Sequence, residues 1–407
     1  MTKPELLSPI QDFTSLKAAI QGGCDAVYFG IRGFNMRAGA KNFNAGDIKK
    51  ITQICHDNKV KAYLALNITI YEDELDKVKT ILKKAKVAKV DAIICFDLSV
   101  LQLAKKMGHE IHLSTQASVS NSASASFYKK QGVRRIVLAR ECSLKDVQRI
   151  EKRTNIGIEI FIHGAMCVSI SGRCFLSQFN YNKSANRGEC LQPCRRKYLI
   201  KEIEEGKEIE IGEDYLLSPK DLCTLPFIEE LFKSNIDSFK IEGRNRSPEY
   251  VKTVTQVYRQ AIDFYFTNKN KKNFKQDFDN IKKELLKQLK TVYNRDFSSG
   301  FYLGKPLNQW THTYGSQATQ KKIHIGKVIH FYSKLSVAEI EIQAKKILKV
   351  KDDIYIQGQN TGILKQIINS MEINHKKIKQ ATQNDIVAIQ TDKPVRTNDL
   401  VYKIIEQ

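Results

Sequence analysis

Four cysteines in one short stretch are the feature of this chain that points most directly to chemistry. They are Cys167, Cys174, Cys190 and Cys194, and Cys223 follows in the run SPKDLC. Thiolates are soft ligands that suit zinc or an iron–sulfur cluster. The spacing is not the paired CxxC…CxxC of a zinc ribbon, so a structural zinc is less favoured. We therefore predict a metal or redox centre; the alternative is that these cysteines are small buried hydrophobic residues.

The charge of the chain favours a polyanionic partner. Its 407 residues include 66 Lys and Arg against 44 Asp and Glu, which gives a formal net charge of +22. Such an excess attracts RNA or DNA through phosphate contacts and counterion release. The alternative is a general bias of the composition towards lysine.

The sequence contains no segment typical of export or of a membrane anchor. The N-terminal run MTKPELLSPIQDFTS lacks a charged region followed by an apolar one, and no apolar run approaches membrane-spanning length. We therefore expect a cytoplasmic protein without a membrane partner. Thiols stay reduced in that compartment, so clustered cysteines are interpreted as metal ligands rather than as disulfides.

Short apolar runs alternate with amphipathic segments from the start of the chain to about residue 265. The predicted strands are ELLSPI, AVYFGI, KAYLALNI, AIICFD, EIHLSTQ, RIVLARE, GIEIFIHG and SFKIEGR. Eight strands that alternate with helices are typical of a (β/α)8 TIM-like barrel, which we predict for residues 1–265. An open doubly wound sheet is the alternative, but no Gly-rich phosphate loop follows the first strand.

The alternation of side chains in three of these strands predicts which residues face the barrel axis. The inward set is Glu159, Phe161 and His163 in the seventh strand, Lys240, Glu242 and Arg244 in the eighth, and His112, Ser114 and Gln116 in the fifth. Polar residues thus collect at the carboxyl ends of the strands, where barrel enzymes build their sites.

The remainder of the chain is predicted to form a connector and a second domain. Residues 266–320 read as a helical connector, in which the Lys-rich stretch 266–300 forms one helix outside the barrel. Short alternating runs from residue 321 predict a small all-β barrel over 321–407. Domains of this kind hold nucleic acid or brace a neighbouring domain.

A long run within the cysteine-rich region 159–223 resembles a known family. The segment EIFIHGAMCVSISGRCFLS, from Glu159 to Ser177, is similar to the signature of the collagenase-like peptidase family. The runs NRGECLQPCR, SPKDLC, IEGR and AVYFG with RAGAKNF match as well. The resemblance covers the whole barrel and, more loosely, the C-terminal β domain.

The resemblance implies a specific chemistry. The family is named for proteolysis, but its better-understood members are oxygen-independent hydroxylases that carry a 4Fe–4S cluster. Some hydroxylate a tRNA wobble uridine or a ribosomal RNA cytidine with prephenate, and others act on ubiquinone precursors. Members often occur in pairs, which makes a paralogous partner subunit possible here.

The resemblance also implies a ligand set. It assigns Cys167, Cys174 and Cys190 to the cluster, and Cys223 as the fourth ligand because SPKDLC looks like the fourth-ligand segment of the hydroxylases. Cys194 is the alternative fourth ligand, since members differ in the position they use.

Several polar residues are candidates for binding and catalysis. Bidentate guanidinium groups are the expected partners of a dicarboxylate such as prephenate. The predicted substrate-binding set is Arg37, Asn67, Gln116, Arg140, Arg173 and Arg244. His163 is the predicted proton donor, the alternative being a core histidine that orients the loop. Glu242 and Lys240 are further catalytic candidates, and their alternative role is a buried charge network with Arg244.

Three functions are compatible with these features. The first is a cluster-dependent hydroxylase that uses prephenate to form 5-hydroxyuridine in tRNA. The second is a peptidase, although the chain has neither an HExxH helix nor a GxSxG turn. The third is a non-enzymatic RNA-binding protein with a structural metal cluster.

Overall fold

A parallel barrel forms the N-terminal part of the chain. The computed structural model describes residues 2–198 and 215–407, so residues 199–214 of the predicted region 159–223 lie outside the described residues. The first seven barrel strands are β1 (Glu5–Pro9), β2 (Ala26–Gly30), β3 (Lys61–Leu66), β4 (Ala92–Cys95), β5 (Ile111–Leu113), β6 (Arg135–Val137) and β7 (Gly157–Gly164). Each pairs in parallel with the next.

The eighth barrel strand closes the sheet. Two strands of an insertion, β8 (Tyr215–Pro219) and β9 (Asp221–Cys223), precede β10 (Ser238–Ile241). Strand β10 pairs in parallel with both β1 and β7. The predicted (β/α)8 barrel is therefore confirmed, and the open sheet is excluded. Strand β9 is an addition, which runs antiparallel to the end of β7.

The chain has ten α-helices among the described residues, and most of them separate the barrel strands and cover their outer faces. They are α1 (Phe13–Gln21), α2 (Ile48–Asp57), α3 (Leu75–Val87), α4 (Leu98–Lys106), α5 (Ser122–Lys130), α6 (Leu144–Thr154), α7 (Leu176–Tyr181), α8 (Ile228–Phe232), α9 (Pro248–Asn268) and α10 (Phe274–Lys290). In α6, Ser143 and Asp146 form a capping box, and Val147 and Ile150 are buried on one face. Each such apolar side chain contributes roughly 1.5–3 kcal/mol when fully buried.

The lysine-rich connector contains a shorter helix than predicted. The expected single helix over 266–300 is replaced by the end of α9 and by α10, which ends at Lys290. The polar residues 269–273 between them offer no apolar stripe to pack against the barrel, which accounts for the break. Phe264 of α9 stacks on Phe278 of α10, with ring centres 5.8 Å apart, and this contact holds the two helices together.

An antiparallel sheet forms the C-terminal part of the chain. Two short connector strands, β11 (Phe297–Ser298) and β12 (Trp310–Thr311), pair with β9 and β8. The remaining strands are β13 (Gln320–Tyr332), β14 (Val337–Ile342), β15 (Leu348–Lys349), β16 (Asp353–Gly358), β17 (Gly362–Ile367), β18 (Met371–Ile373), β19 (Lys376–Ile378), β20 (Gln380–Ala381), β21 (Ile386–Gln390) and β22 (Leu400–Glu406). Eight of them form one sheet, and β15 pairs with β20.

This sheet has a hydrophobic core of its own, which includes Ile325, Ile340 and Ile356. It contacts the barrel helices through a small apolar cluster in which Ala18 of α1 packs with Tyr355. Within the described parts of the chain, none of the helices has both the length and the apolar character needed to span a membrane.

Candidate active site

A cavity of about 130 Å³ lies at the carboxyl ends of the barrel strands. Its polar wall includes Arg37, Asn67, Ser114, Gln116, Arg140, Lys240, Glu242 and Arg244. Asn67 directly follows β3, and Glu242 directly follows β10. The four cysteines Cys167, Cys174, Cys190 and Cys194 line the same cavity. The structure thus brings together most of the residues that the sequence singled out.

The cavity is covered by residues 165–198, here called the cysteine segment, which begin where β7 ends. Gly164 makes this exit possible, because its φ of +108° belongs to the left-handed region that favours glycine. A Cβ atom at this position would lie 2.4 Å from the carbonyl oxygen of Glu242. The segment can therefore leave the barrel close beside β10.

Ionic and backbone contacts fix the cysteine segment over the barrel. Arg187 makes a bidentate ion pair with Glu74, with Nη1–Oε2 and Nη2–Oε1 distances of 2.7 and 2.6 Å. The Nη1 atom of Arg195 donates to the Pro219 carbonyl oxygen at 2.5 Å, and Nη2 donates to the carbonyl oxygen of Met166. Arg195 thus joins the residue before Cys167 to the turn that carries Cys194.

The four cavity cysteines form a donor set of the right chemistry for an iron–sulfur cluster. Cys167 and Cys190 are exposed, and Cys174 and Cys194 are partly buried. Among the described residues, no three His, Cys, Asp or Glu side chains are arranged so that they could bind a single metal ion. In a 4Fe–4S cluster the four thiolates bind different irons, so the cluster needs thiols that surround a space rather than a point.

Burial affects the ionisation of the thiols. It raises the pKa of Cys194 to about 11, and it raises that of Cys190 as well. These thiols are therefore protonated near neutral pH, and a metal that binds them must displace the protons.

Cys223 lies apart from this group. It is 1% exposed, and its Sγ atom lies 3.7 Å from the hydroxyl oxygen of Tyr258 in α9. It does not line the cavity. The structure therefore groups Cys194, rather than Cys223, with the other three cysteines.

His163 also lies off the cavity, so its predicted inward orientation is wrong. The pairing register between β7 and β10 shifts between Lys240 and Ile241, so that His163 lies opposite the outward-facing Ile241. Its ring contacts Tyr250, Tyr258 and Phe297. Burial lowers the pKa of His163 to about 3, which keeps the ring neutral. This position corresponds to the alternative role, a histidine of the protein core.

Glu242 lies at the centre of a group of arginines. Its Oε1 atom is 3.0 Å from Nη2 of Arg37, and its Oε2 atom is 3.6 Å from Nη2 of Arg140. Burial raises the pKa of Glu242, but Arg37, Arg140 and Arg244 outweigh this effect and lower it to about 2. The carboxylate is therefore ionised at any working pH and orients the two arginines that it contacts.

Arg140 and Arg244 retain unused hydrogen-bonding capacity. Arg140 donates from Nη1 to the Ala165 carbonyl oxygen at 2.8 Å, and Arg244 donates from Nη1 to Oδ1 of Asn35 at 3.0 Å. In both side chains, the buried Nε atom has no hydrogen-bond partner among the residues that the structure describes. Burial lowers the pKa of Arg244 to about 10, which still leaves it charged at neutral pH.

Lys240 belongs both to the cavity wall and to a buried ion pair below it. Its Nζ atom lies 2.8 Å from Oε1 of Glu159 and 4.3 Å from the ring centre of Tyr28. Glu159 also contacts Arg135, which in turn binds Glu5 at 2.6 Å. Lys240 therefore takes part in a buried charge network, in which its ion-pair partner is Glu159 rather than the Glu242 that the sequence placed beside it.

The remaining candidates divide between the cavity and the surface. The Nδ2 atom of Asn67 donates to Oγ of Ser114 at 3.3 Å and to Oε1 of Gln116 at 3.4 Å. Arg173 is exposed and does not line the cavity. Tyr28 and Asn35 could not be singled out from the sequence. Strand β2 is buried along its whole length, so polar alternation could not reveal the inward side of Tyr28.

The sequence that forms this site matches a known protein family. The model of peptidase family U32 matches residues 11–312. This chain is a member of that family. The match spans the barrel strands from β2 to β10, the cysteine segment and most of the connector, so it includes every residue of the cavity wall.

Curated relatives carry two kinds of name. A collagenase from Porphyromonas gingivalis is 40% identical over 98% of this chain and 97% of its own length. The tRNA hydroxylation protein P1 of Bacillus subtilis is 32% identical over 98% of this chain and 95% of its own. The 23S rRNA 5-hydroxycytidine C2501 synthase of Escherichia coli is 38% identical over 64% of this chain and 39% of its own.

Proposed function

We propose that this protein is an iron–sulfur-dependent, oxygen-independent tRNA hydroxylase that forms 5-hydroxyuridine at the wobble position, with prephenate as co-substrate. One observation carries the proposal: four thiols and a group of arginines share a single cavity. The similarity to a tRNA hydroxylation protein over nearly the whole chain supports the choice of RNA. A role in modifying tRNA also agrees with the cytoplasmic location that the sequence suggests.

The chain offers three cavity cysteines and two candidates for the fourth cluster ligand. Cys167, Cys174 and Cys190 would supply three thiolates. The fourth would come from Cys194, which lines the same cavity, or from Cys223, which the family resemblance implies. When bound, a cluster with an accessible iron supplies a site for a substrate oxygen.

The cavity wall is suited to a small dianion. It carries four cationic side chains, Arg37, Arg140, Lys240 and Arg244. Two carboxylates oppose them, Glu242 in the wall and Glu159, which pairs with Lys240 below it. Glu242 holds Arg37 and Arg140 in place without neutralising the wall. Guanidinium groups bind carboxylates through paired N–H donors, so the excess positive charge favours a dicarboxylate such as prephenate.

The enclosed position of the cavity limits which bases of an RNA can enter it. Cys174 and Ser177 of the cysteine segment and Lys240 of the barrel line the same enclosed space. A base within a duplex could not reach it. We infer that the modified base leaves its stack before it enters, as in other enzymes that act on a base. In the unpaired loop of a tRNA, a base leaves its stack at a smaller free-energy cost than in a duplex.

A peptidase is the second candidate, because relatives named collagenase are also similar over nearly the whole chain. A cysteine peptidase would need a histidine beside one of the exposed thiols. The described residues that line the cavity include no histidine, and His163 lies behind β7 against α9. The arrangement therefore supports the hydroxylase better.

The proposal is tested on protein purified without oxygen. We expect about four irons and four acid-labile sulfides per chain, and prephenate-dependent 5-hydroxyuridine in digested tRNA detected by mass spectrometry. The same preparation is assayed for cleavage of gelatin and collagen peptides. Collagen cleavage by protein that contains zinc or no metal, without any tRNA product, would overturn the proposal in favour of the peptidase.

A further inference from the structure

We propose that an exposed aromatic surface on the outside of the cysteine segment stacks unpaired bases of the RNA substrate. The surface consists of Phe175, Phe179 and Tyr181 and is here called the aromatic face. The inference rests on the proposed function, to which it adds the place and the physical mode of RNA recognition.

The aromatic face is unusually exposed for apolar side chains. Phe175 is 56% exposed and Phe179 is 85% exposed. Among the residues that the structure describes, no other large hydrophobic side chain is as exposed as Phe179. The two rings are four positions apart at α7 and lie side by side, with ring centres 6.0 Å apart. Packing within the chain does not explain them, and such patches mark interaction sites.

The opposite side of the same short helix belongs to the cavity. Leu176 and Ser177 line the cavity, as does Cys174 just before the helix. Ser177 is fully buried, and its Oγ atom accepts a hydrogen bond from the Leu191 amide at 3.1 Å. A base that stacks on the outside of α7 is therefore separated from the cavity by one helix. That is the arrangement needed to hold the nucleotides next to a base that enters the site.

The surroundings of the aromatic face are positively charged. Arg173 and Lys183 are exposed on either side of it in the chain, and Nζ of Lys183 lies 3.6 Å from Oε1 of Glu189. The Cζ atom of Arg196 lies 5.5 Å from the ring centre of Tyr181, a cation–π distance. Aromatic rings interleaved with cations are the surface that single-stranded nucleic acid prefers, because rings stack bases and cations bind phosphates. This charge complementarity favours RNA over a second protein as the occupant.

The test measures dissociation constants of the full chain for two fluorescent RNAs, an anticodon stem–loop and a fully paired duplex. Stacking of one base contributes roughly 1–3 kcal/mol, so Phe179→Ala should weaken stem–loop binding by roughly 5- to 150-fold. Phe179→Trp keeps a ring at this position and should bind the stem–loop about as tightly as the unmodified protein. Binding of the duplex should not change in either variant. The slope of affinity against salt should also stay the same, because the protein still binds the same phosphates.

Phe127→Ala is the matched control, since Phe127 is 54% exposed on α5, which is not part of the cysteine segment. Equal stem–loop affinities for Phe179→Ala and Phe127→Ala would refute the inference that the aromatic face stacks bases, while leaving the proposed function intact. Absence of any RNA binding by the unmodified protein would instead remove the proposed function, and the inference with it. If Phe179→Ala alters the mass in solution but not the RNA affinity, the face is a protein contact and the inference is wrong.

Discussion

Cys223 lies opposite His163 across the antiparallel contact between β7 and β9, and both side chains face α9 rather than the cavity. The hydroxyl oxygen of Tyr258 lies 3.7 Å from Sγ of Cys223 and 3.3 Å from Nδ1 of His163. Burial raises the pKa of Cys223 to about 11 and lowers that of His163 to about 3, so both groups are neutral. The pair forms a neutral polar contact behind the candidate site.

This arrangement predicts different effects for two cysteine substitutions. Cys194→Ala removes a thiol from the cavity and should abolish binding of the iron–sulfur cluster, together with the brown colour of the protein. Cys223→Ala removes a thiol that points elsewhere and should leave iron and sulfide near the unmodified level. The measurement is iron and sulfide per chain after anaerobic purification.

Cys174→Ala and Cys142→Ala are the two controls for this comparison. Cys174 lines the cavity and is expected to be a ligand, whereas Cys142 is 3% exposed and does not line it. Loss of iron from Cys223→Ala, with full iron in Cys194→Ala, would contradict the prediction. It would support the ligand implied by the family resemblance and would require β9 to move when the cluster binds.

The strand order of the barrel could be predicted from the sequence because each strand and helix has its own local signal. The inward side of β10 could be predicted as well, since Phe239 and Ile241 alternate with charged residues. The same rule failed at His163, because the register shift opposite Ile241 is a property of two strands and not of one. Alternation within a strand cannot reveal such a shift.

The presence of Cys194 rather than Cys223 at the cavity could not be deduced from spacing. The path of the cysteine segment depends on contacts between distant parts of the chain, such as the ion pair between Arg187 and Glu74. The role of Arg195, whose guanidinium joins the carbonyl oxygens of Met166 and Pro219, depends equally on strand β8, which is distant from Met166 in the chain. These contacts, and not the intervals between cysteines, bring Cys194 to the cavity.

Arg244 should contribute to binding of the dicarboxylate more than to binding of RNA. Arg244→Lys keeps the charge but removes the paired N–H donors, and a hydrogen bond to a charged group contributes roughly 1.5–3 kcal/mol. We expect prephenate affinity to fall by roughly 10- to 100-fold in isothermal titration calorimetry, with tRNA affinity unchanged. Arg173→Ala, which alters an exposed arginine outside the cavity, is the control and should leave prephenate binding unchanged. Equal losses for both ligands would refute a direct role of Arg244.

The free energy of unfolding should depend on pH in the acidic range because of Glu242. Its pKa is lowered in the folded protein to about 2, so the ionised carboxylate stabilises the fold above its ordinary pKa near 4.5. That stabilisation, on the order of 3 kcal/mol, is lost as the pH falls through 2. Urea unfolding of the unmodified protein and of Glu242→Gln should therefore differ most above about pH 5 and converge towards pH 2. Parallel stability curves over this range would contradict the assignment, and Glu72→Gln, an exposed carboxylate, serves as the control.

Exposed lysines of the C-terminal sheet should contribute to RNA binding by pairing with phosphates. Lys345, Lys346 and Lys349 lie together at β15. Strand β15 is held by its pairing with β20, so alanine substitutions at these exposed positions should not disturb the fold. The triple alanine variant should bind tRNA more weakly. Its slope of log affinity against log salt should be less steep by up to about one unit for each phosphate that the variant no longer binds.

A matched control separates this effect from a general loss of charge. Three lysines on α3, Lys79, Lys83 and Lys84, are also exposed and lie on the outside of the barrel. Alanine at these three positions changes the net charge by the same amount, so any difference between the two triple variants reflects position. If both variants lose the same affinity and the same salt slope, the C-terminal sheet acts only through the overall charge of the protein. An unchanged slope in the β15 variant would show that the sheet does not bind the RNA backbone there and serves to brace α1 and α9.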